Sequence, residues 1–431
     1  MNYEKTLEKL QATKRGEKDN SLNRMRSLML ELKNPEKNLK IIHVAGTNGK
    51  GSVSKILNDV LIKNGYNVGL FSSPYIYDFR ERIQINNNLI EKENVMKFYN
   101  EVLDAEYKIM KKGYTKLSQF EVITAMSFLY FKEKDVDLAV IEVGIGGLYD
   151  STNIINNPVI SVITSIDYDH MDMLGNTLES IAINKAGIMK GNDTISSNQK
   201  VEVKKTLVYE AKRYNSNLFF VRKEDVTYIK IKDYKQELDF TFLNNTYRGY
   251  LKLLGTHQLE NLNTSIKALE VLHSKGYKIT VNSIKEAIRS LRWPGRMDIV
   301  SKEPFVLLDG AHNISGAHKL KESLDLYFKD KDIILIIGIL KSKNFKEISK
   351  VLARDTKLTI SVTPDIYKGL DSKELFDLID PGVNKAFSSS YDDAIDKALE
   401  VYDKNSIIVV SGSLYILADI EKKLKEHKEY Y

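Results

Sequence analysis

Ile41 to Ser54 reads IIHVAGTNGKGSVS, and KILNDVLIKNG follows it. The opening IIHVA is a short apolar run of the kind buried on both faces of a parallel sheet. Gly46, Gly49 and Gly51 come next, with Lys50 between the last two, and then a helical pattern begins. Glycine lets a backbone turn tightly and bring its N–H groups against anionic oxygens. A helix N-terminus adds partial positive charge. The stretch therefore reads as a loop that cradles phosphate, with Lys50 reaching the terminal phosphates and the Ser52 hydroxyl available to Mg²⁺. It is a variant of G-x-x-x-x-G-K-[ST]. Val44 stands where the first glycine belongs, and Gly51 stands where Ser or Thr would follow the lysine.

Working outward, residues 67–71, 138–143 and 159–165 are further short runs rich in Val and Ile, each closed by Gly, Ser, Asp or Asn. They alternate with amphipathic helical stretches, which predicts α/β architecture around a parallel sheet. From about 226 to 254 the pattern changes. TYIKIK, ELDFTFL and YRGYLKL alternate apolar with polar residues, so a small β-subdomain is expected over about 222–256. A helix is expected from Leu259 to about Lys275. Trp293-Pro294-Gly295-Arg296 then punctuates the chain. A second strand–helix series follows, with strands at 305–308, 333–337, 358–362 and 407–410. The expected organisation is a phosphate-loop domain over 1–293, a linker at 294–297 and a Rossmann-like α/β domain over 298–431.

With 431 residues and 42% hydrophobic content, the chain can bury two sizeable cores. Its formal charge is only +6 and its lysines are dispersed among acids, which argues against nucleic-acid binding. The ends, MNYEKTLEKL and EKKLKEHKEYY, read as helices with solvated faces. The absence of cysteine excludes disulfides, thiolate metal sites and a cysteine nucleophile, and suits a cytoplasmic protein. The longest strongly apolar run, IILIIGIL at 333–340, is far shorter than the roughly 20 residues a membrane helix needs.

Two further segments carry chemistry. LAVIEVGIGGLYDSTN (138–153) places Glu142 at the carboxyl end of a buried strand. A carboxylate there is costly unless paired or bound to a metal, and ligands gather at that end of a doubly wound sheet. Glu142 is a candidate Mg²⁺ ligand; the alternative is a salt-bridged carboxylate. The next strand runs into TSIDYDHMDMLG, where His170 lies among Asp167, Asp169 and Asp172. That is either an active-site loop or a surface histidine near acids. In LESIAINKAGIM (178–189), Lys185 has apolar neighbours and is expected to be partly buried. A buried lysine loses its proton more easily, and a neutral amine can take up CO₂ as a carbamate.

The ordered set VAGTNGKGS, LFSSPY, SQFEVIT, EVGIGGLYDSTN, TSIDYDHMDMLG, NKAGI, HQLENLNTS, WPGRMD and LDGAHN resembles the folylpolyglutamate synthase/dihydrofolate synthase family, in the Mur ligase superfamily. The likeness covers almost the whole chain. It implies an ATP-dependent, cytoplasmic, monomeric ligase acting on folates, with ATP held by Asn48, Gly49, Lys50, Gly51, Ser52, Asn261, Arg296 and Asp309. It implies two Mg²⁺ sites built from Ser52, Ser73, Glu142, His170 and a carbamylated Lys185. Ser118, Gln119, Phe120 and Glu121, with Tyr149, Asp150 and Ser151, match the folate-binding segments. Lys50, Lys185, Asp309 and His312 match the positions that serve catalysis. Two departures stand out: Leu148 where the family often has Arg, and Ile314 where it often has Pro.

The resemblance implies that ATP converts a carboxylate into an acyl phosphate, which the amino group of L-glutamate then attacks. Such chemistry depends on charge neutralisation and alignment. Two rivals stay open at this point. One is another amide ligase of the superfamily, weakened because only about 40 residues precede the loop. The other is a nucleotide switch without catalysis, which would not need Glu142, His170, Lys185 and DGAHN together.

Overall fold

The IIHVA run forms β1 (Ile41–Ala45), buried at all five positions. It is central in an eight-stranded sheet with β2 (Val68–Phe71), β3 (Ile83–Ile85), β4 (Asn88–Leu89), β5 (Leu138–Glu142), β6 (Ile160–Ile163), β7 (Asp193–Ser196) and β8 (Leu218–Phe220). The spatial order is β4-β3-β2-β5-β1-β6-β7-β8. β3 and β4 join antiparallel, and the other pairs are parallel. β1 pairs with β5 on one side and β6 on the other, so the strand order reverses at β1. Ligands of doubly wound sheets bind outside the strand carboxyl ends at such a reversal. The loop after Ala45 starts there.

The computed structural model describes residues 2–13, 22–365 and 368–426. Five residues of the carboxyl-terminal stretch read above, 427–431, lie outside the described residues. The chain forms two units. The first comprises Met1–Ile229, Leu238–Tyr250 and Leu259–Leu291. Its helices α1 (Tyr3–Ala12), α2 (Asn23–Glu31), α3 (Lys50–Lys63), α4 (Lys92–Lys111), α5 (Gln119–Glu133), α6 (Met171–Leu174), α7 (Leu178–Ala186) and α8 (Val201–Arg213) flank the large sheet. Met25, Leu28, Phe98, Val102, Phe128 and Phe131 pack with Ile41, Phe71 and Ile141 of the sheet in its largest core. Ala45, Val143 and Ile163 pack with Ile181, Ile188, Val203 and Leu207 in another. Each Val, Leu, Ile, Phe or Met so buried contributes roughly 1.5–3 kcal/mol.

The alternating stretch forms β9 (Val226–Lys232), β10 (Lys235–Phe242) and β11 (Asn245–Leu251), ordered β11-β10-β9. The two-residue turns Asp233-Tyr234 and Leu243-Asn244 have positive φ throughout, which is the hairpin geometry that matches strand twist. α9 (Thr256–Ser274) follows and begins three residues before the expected Leu259. α10 (Val281–Ser290) packs on α3 within the first unit.

The second unit comprises Lys230–Glu237, Leu251–Gln258 and Arg292–Tyr431. Its sheet has six strands: β12 (Asp298–Lys302), β13 (Phe305–Leu308), β14 (Asp332–Ile337), β15 (Leu358–Ser361), β16 (Lys385–Phe387) and β17 (Ser406–Ser411). The order is β12-β13-β17-β14-β15-β16. Only β12 runs antiparallel. Four of these strands were expected, and the additional β12 and β16 lie at the sheet edges. Helices α11 (Ile314–Tyr327), α12 (Phe345–Leu352), α13 (Ser372–Leu378), α14 (Tyr391–Glu400) and α15 (Leu417–Glu426) connect and extend the series. No helix among the described residues is long and apolar enough to cross a membrane.

Candidate active site

Gly46 leaves β1 with φ 153°, so close to the segment after β6 that a Cβ there would sit 1.8 Å from Thr164 Oγ1. Only glycine fits. Thr164 Oγ1 in turn donates to Asn48 O at 2.7 Å, and Thr47 N donates to Ser165 O at 2.8 Å. Thr47 Oγ1 donates to Asp167 O at 2.9 Å and accepts from Asp167 N at 3.0 Å. The end of β6 therefore clamps the loop along its length. Gly49 takes φ 88° and caps α3 without a side-chain hydrogen bond. Lys50, Gly51 and Ser52 occupy the first turn of α3, and Ser52 is buried.

Two lysines converge on one carbonyl. Lys50 Nζ folds back to Gly46 O at 3.1 Å and Thr47 O at 3.2 Å. Lys185 Nζ, from the last turn of α7, reaches the same Gly46 O at 2.7 Å. Lys185 is 3% exposed. Burial holds its amine well below the usual lysine range, the Lys50 charge pushes it further down, and Asp169 and Asp150 oppose both.

Glu142 ends β5 in register with Val44, buried, and its Oε2 accepts from Ser73 N at 3.3 Å. His170 takes a left-handed backbone (φ 50°) before α6, with its side chain 38% exposed and Nε2 3.9 Å from Asp169 Oδ1. Asp172 lies in the short α6, while Asp167 pairs with Lys200 at 3.0 Å. Buried Asn261, in α9, lies against the loop: a Cβ on Gly49 would stand 2.2 Å from its Oδ1.

The expected folate-binding segments also meet. Ser118 caps α5, and its hydroxyl and N–H donate to Glu121 Oε2 while Glu121 N donates back to Ser118 Oγ. Arg24, from α2, donates to both Glu121 oxygens at 2.9 Å and to Thr115 Oγ1 at 2.8 Å. Glu121 is thus engaged in holding the helix start. Gln119 and Phe120 open α5, and the Phe120 ring lies where a Cβ on Gly144 would be 2.6 Å away. The same position is 3.1 Å from Asp150 Oδ2. Asp150 is buried and accepts from Ile145 N, Thr152 N and Thr152 Oγ1. Burial pushes its carboxyl above the ordinary range against those hydrogen bonds. Tyr149 is half exposed, and Ser151 begins a single 3₁₀ turn. Leu148 is tied by its N–H to Asn184 O at 2.7 Å, which fixes this loop on the end of α7, beside Lys185.

In the second unit, Asp309 follows β13, buried, with Oδ2 accepting from Met297 N at 2.9 Å and Oδ1 from Ala311 N at 2.8 Å. Burial raises its carboxyl and Arg296 opposes the rise. A Cβ on Gly310 would lie 2.7 Å from an Arg296 guanidinium nitrogen. His312 Nδ1 donates to Gly310 O at 2.8 Å. Asn313 caps α11, and Ile314 takes its first position, where proline also fits, so this departure leaves the turn intact.

Oxygen donors suit Mg²⁺, which keeps several waters and needs only one or two protein carboxylates beside substrate phosphates. Among the described residues no three His, Cys, Asp or Glu side chains gather into an all-protein cage. A buried carboxylate at 142, with hydroxyl residues at 52 and 73, fits an ion held jointly with phosphate. Sequence reading missed Arg24, His43, Thr152 and Thr164. The pairs Arg24–Glu121, His43–Thr152 and Thr164–Asn48 span 97, 109 and 116 residues, and no local pattern reports them.

The Mur ligase middle domain model matches residues 44–269, and the Mur ligase glutamate ligase domain model matches residues 295–414. Dihydrofolate synthase/folylpolyglutamate synthase of Bacillus subtilis (strain 168) is 35% identical over 411 residues, 94% of this chain and 95% of that protein. Mycobacterium tuberculosis folylpolyglutamate synthase complexed with ADP superposes with a TM-score of 0.90 at 27% identity, covering 98% of each chain. A solved FPGS–AMPPCP–folate complex matches with a TM-score of 0.85 at 28% identity, covering 98% of this chain and all of that one. The chain belongs to the dihydrofolate synthase/folylpolyglutamate synthase family of Mur ligases.

Proposed function

We propose that this chain is an ATP-dependent ligase that joins L-glutamate to a folate carboxylate through an acyl phosphate. The observation that carries the reading is the convergence of Lys50 and Lys185 on the Gly46 carbonyl, at the carboxyl end of the strand where the sheet order reverses. A triphosphate there brings its negative charge to the Lys50 amine and a helix N-terminus. The relatives' names, and the complexes with ADP and with AMPPCP and folate, support ATP and folate as substrates.

The acceptor carboxylate attacks the γ-phosphorus and ADP departs. The glutamate amine then attacks the acyl carbonyl, loses a proton and expels phosphate. Lys50 and the first turn of α3 neutralise the phosphates, with Asn48, Gly49, Gly51 and Ser52 shaping the loop. Asn261, Arg296 and Asp309 are assigned to ATP, and His312 to the second half of the reaction. Ser52, Ser73, Glu142, His170 and Lys185 are assigned to Mg²⁺, which when bound supplies positive charge to the transferring phosphoryl group. A carbamate on Lys185 would replace repulsion from Lys50 by attraction, and the depressed basicity of the amine favours its formation. Phe120 and the 149–151 segment are assigned to the folate ring system, with Ser118, Gln119 and Glu121 forming the helix start that holds Phe120. The name of the B. subtilis relative favours dihydropteroate as a second acceptor. A cysteine-free chain suits the reducing cytoplasm.

The test is ADP release with purified protein. It should require both a folate and L-glutamate, and Lys50→Ala should lower it by about 10²–10³-fold, the usual effect of losing one aimed charge donor, while the protein stays folded. ADP release that ignores folate and glutamate would refute the reading. Running dihydropteroate beside tetrahydrofolate decides the second acceptor.

A further inference from the structure

His43 lies in the middle of β1, three residues before Gly46, and is fully buried. Its Nε2 is 2.8 Å from Thr152 Oγ1. Thr152 is also fully buried, and its Oγ1 stands 2.6 Å from Asp150 Oδ1, to which its backbone N–H donates as well. A hydroxyl has one proton. The short contact with the carboxylate takes it, so the same oxygen must accept from His43. The ring is then the neutral Nε2–H tautomer, with Nδ1 as a buried acceptor that has no partner among the described residues. Burial keeps the ring neutral, with a pKa of about 3.

This chain of three side chains ends on a loop with further anchors. Asp150 Oδ2 accepts from Ile145 N at 2.9 Å. Asn153 Nδ2 donates to Leu148 O at 3.0 Å and Gly187 O at 3.1 Å. Phe120 packs on Gly144. Asn153 and Phe120 fix the loop to α7 and α5, and the His43 side chain ties it to the strand that delivers the phosphate loop.

We propose that His43 and Thr152 are positioning residues that orient the Asp150 carboxylate and the 144–151 loop for the acceptor, so that they set folate affinity without touching nucleotide use. The proposal rests on the assignment of that loop to the acceptor. Neither residue touches substrate; each acts through Asp150.

The experiment compares Thr152→Val, Thr152→Ser, His43→Leu and His43→Gln in the full chain. Thr152→Val removes the hydroxyl without changing shape. It should raise KM for folate by about tenfold or more, as expected for losing a hydrogen bond to a charged group, with KM for ATP and for glutamate within about twofold by the same reasoning. His43→Leu should do the same. Thr152→Ser restores the hydroxyl and His43→Gln restores an N–H donor, so both should stay near wild type. Unchanged folate KM in Thr152→Val, or parallel rises in all three KM values, would overturn the proposal. The ¹⁵N shifts of the His43 ring at neutral pH, assigned by comparison with His43→Gln, give a readout independent of turnover. Protonated Nε2 with bare Nδ1 is expected, and the opposite tautomer overturns the proposal even if a variant fails to fold. A wild-type protein without folate-dependent ADP release would instead sink the assigned function, leaving the tautomer to judge the relay.

Discussion

Gly49→Ala is the most informative small change, because its cost can be worked out from two separate features. Residue 49 holds φ 88°, a left-handed backbone that costs a residue with a Cβ about 1–2 kcal/mol. The added methyl would also stand 2.2 Å from Asn261 Oδ1 and 3.0 Å from its Cγ, where ordinary contact begins near 3.4 Å. Asn261 is only 5% exposed, so its amide cannot swing into water and must shift by about an ångström or more within packed surroundings. The stability loss should be about 2 kcal/mol, read from urea denaturation midpoints. If Asn261 contacts ATP, displacing one neutral hydrogen bond should raise KM for ATP by about fivefold, with KM for folate nearly unchanged. Gly49→Ala/Asn261→Ala should recover the steric part of the loss and keep the backbone part. Wild-type stability and ATP KM in Gly49→Ala would refute both the loop geometry and the assignment of Asn261.

Arg24→Met should destabilise by about 3–5 kcal/mol in urea, because it leaves the Glu121 carboxylate buried without its cation. Arg24→Met/Glu121→Gln should recover part of that, and a loss below about 1 kcal/mol would show the pair to be dispensable. His43 gives an acid signature. Its folded pKa of about 3 lies below the unfolded value of about 6.5, so the unfolded chain takes up the proton first. Its contribution is intact above about pH 6.5 and is lost as pH falls toward 3, amounting to about 2 kcal/mol at pH 5. His43→Gln should lose less stability than wild type between pH 8 and pH 5 by that amount, and parallel curves would contradict it.

Much of this architecture was legible because it is local. The run IIHVA, the glycines after it and the helix behind them lie within 23 residues, and they fold as β1, loop and α3. β5 was readable from its apolar run, and Glu142 from its place at the end of it. Other parts carry little local signal. β7 (DTIS) and β8 (LFF) are too short and mixed to show a period, yet sheet pairing with β6 makes them strands. α9 starts at Thr256 rather than Leu259, because its apolar stripe begins later than its backbone. The approach of Lys185 to Gly46 across 139 residues is a product of topology. Family likeness pointed to Lys185, but spacing alone gave only a lysine among apolar neighbours. Glu121 and Asp150 show the complementary limit. Likeness marked them as folate-side positions, while the structure adds that their carboxylates already hold Ser118, Arg24 and Thr152.

The central chemical claim is that the acceptor carboxylate gives an oxygen to phosphorus. A folate labelled with ¹⁸O in its reacting carboxylate, turned over with ATP and L-glutamate, tests it directly. One ¹⁸O per turnover should appear in the released phosphate. Phosphate free of label, with product still formed, would contradict the acyl phosphate and the reading of the Lys50–Lys185 site built on it.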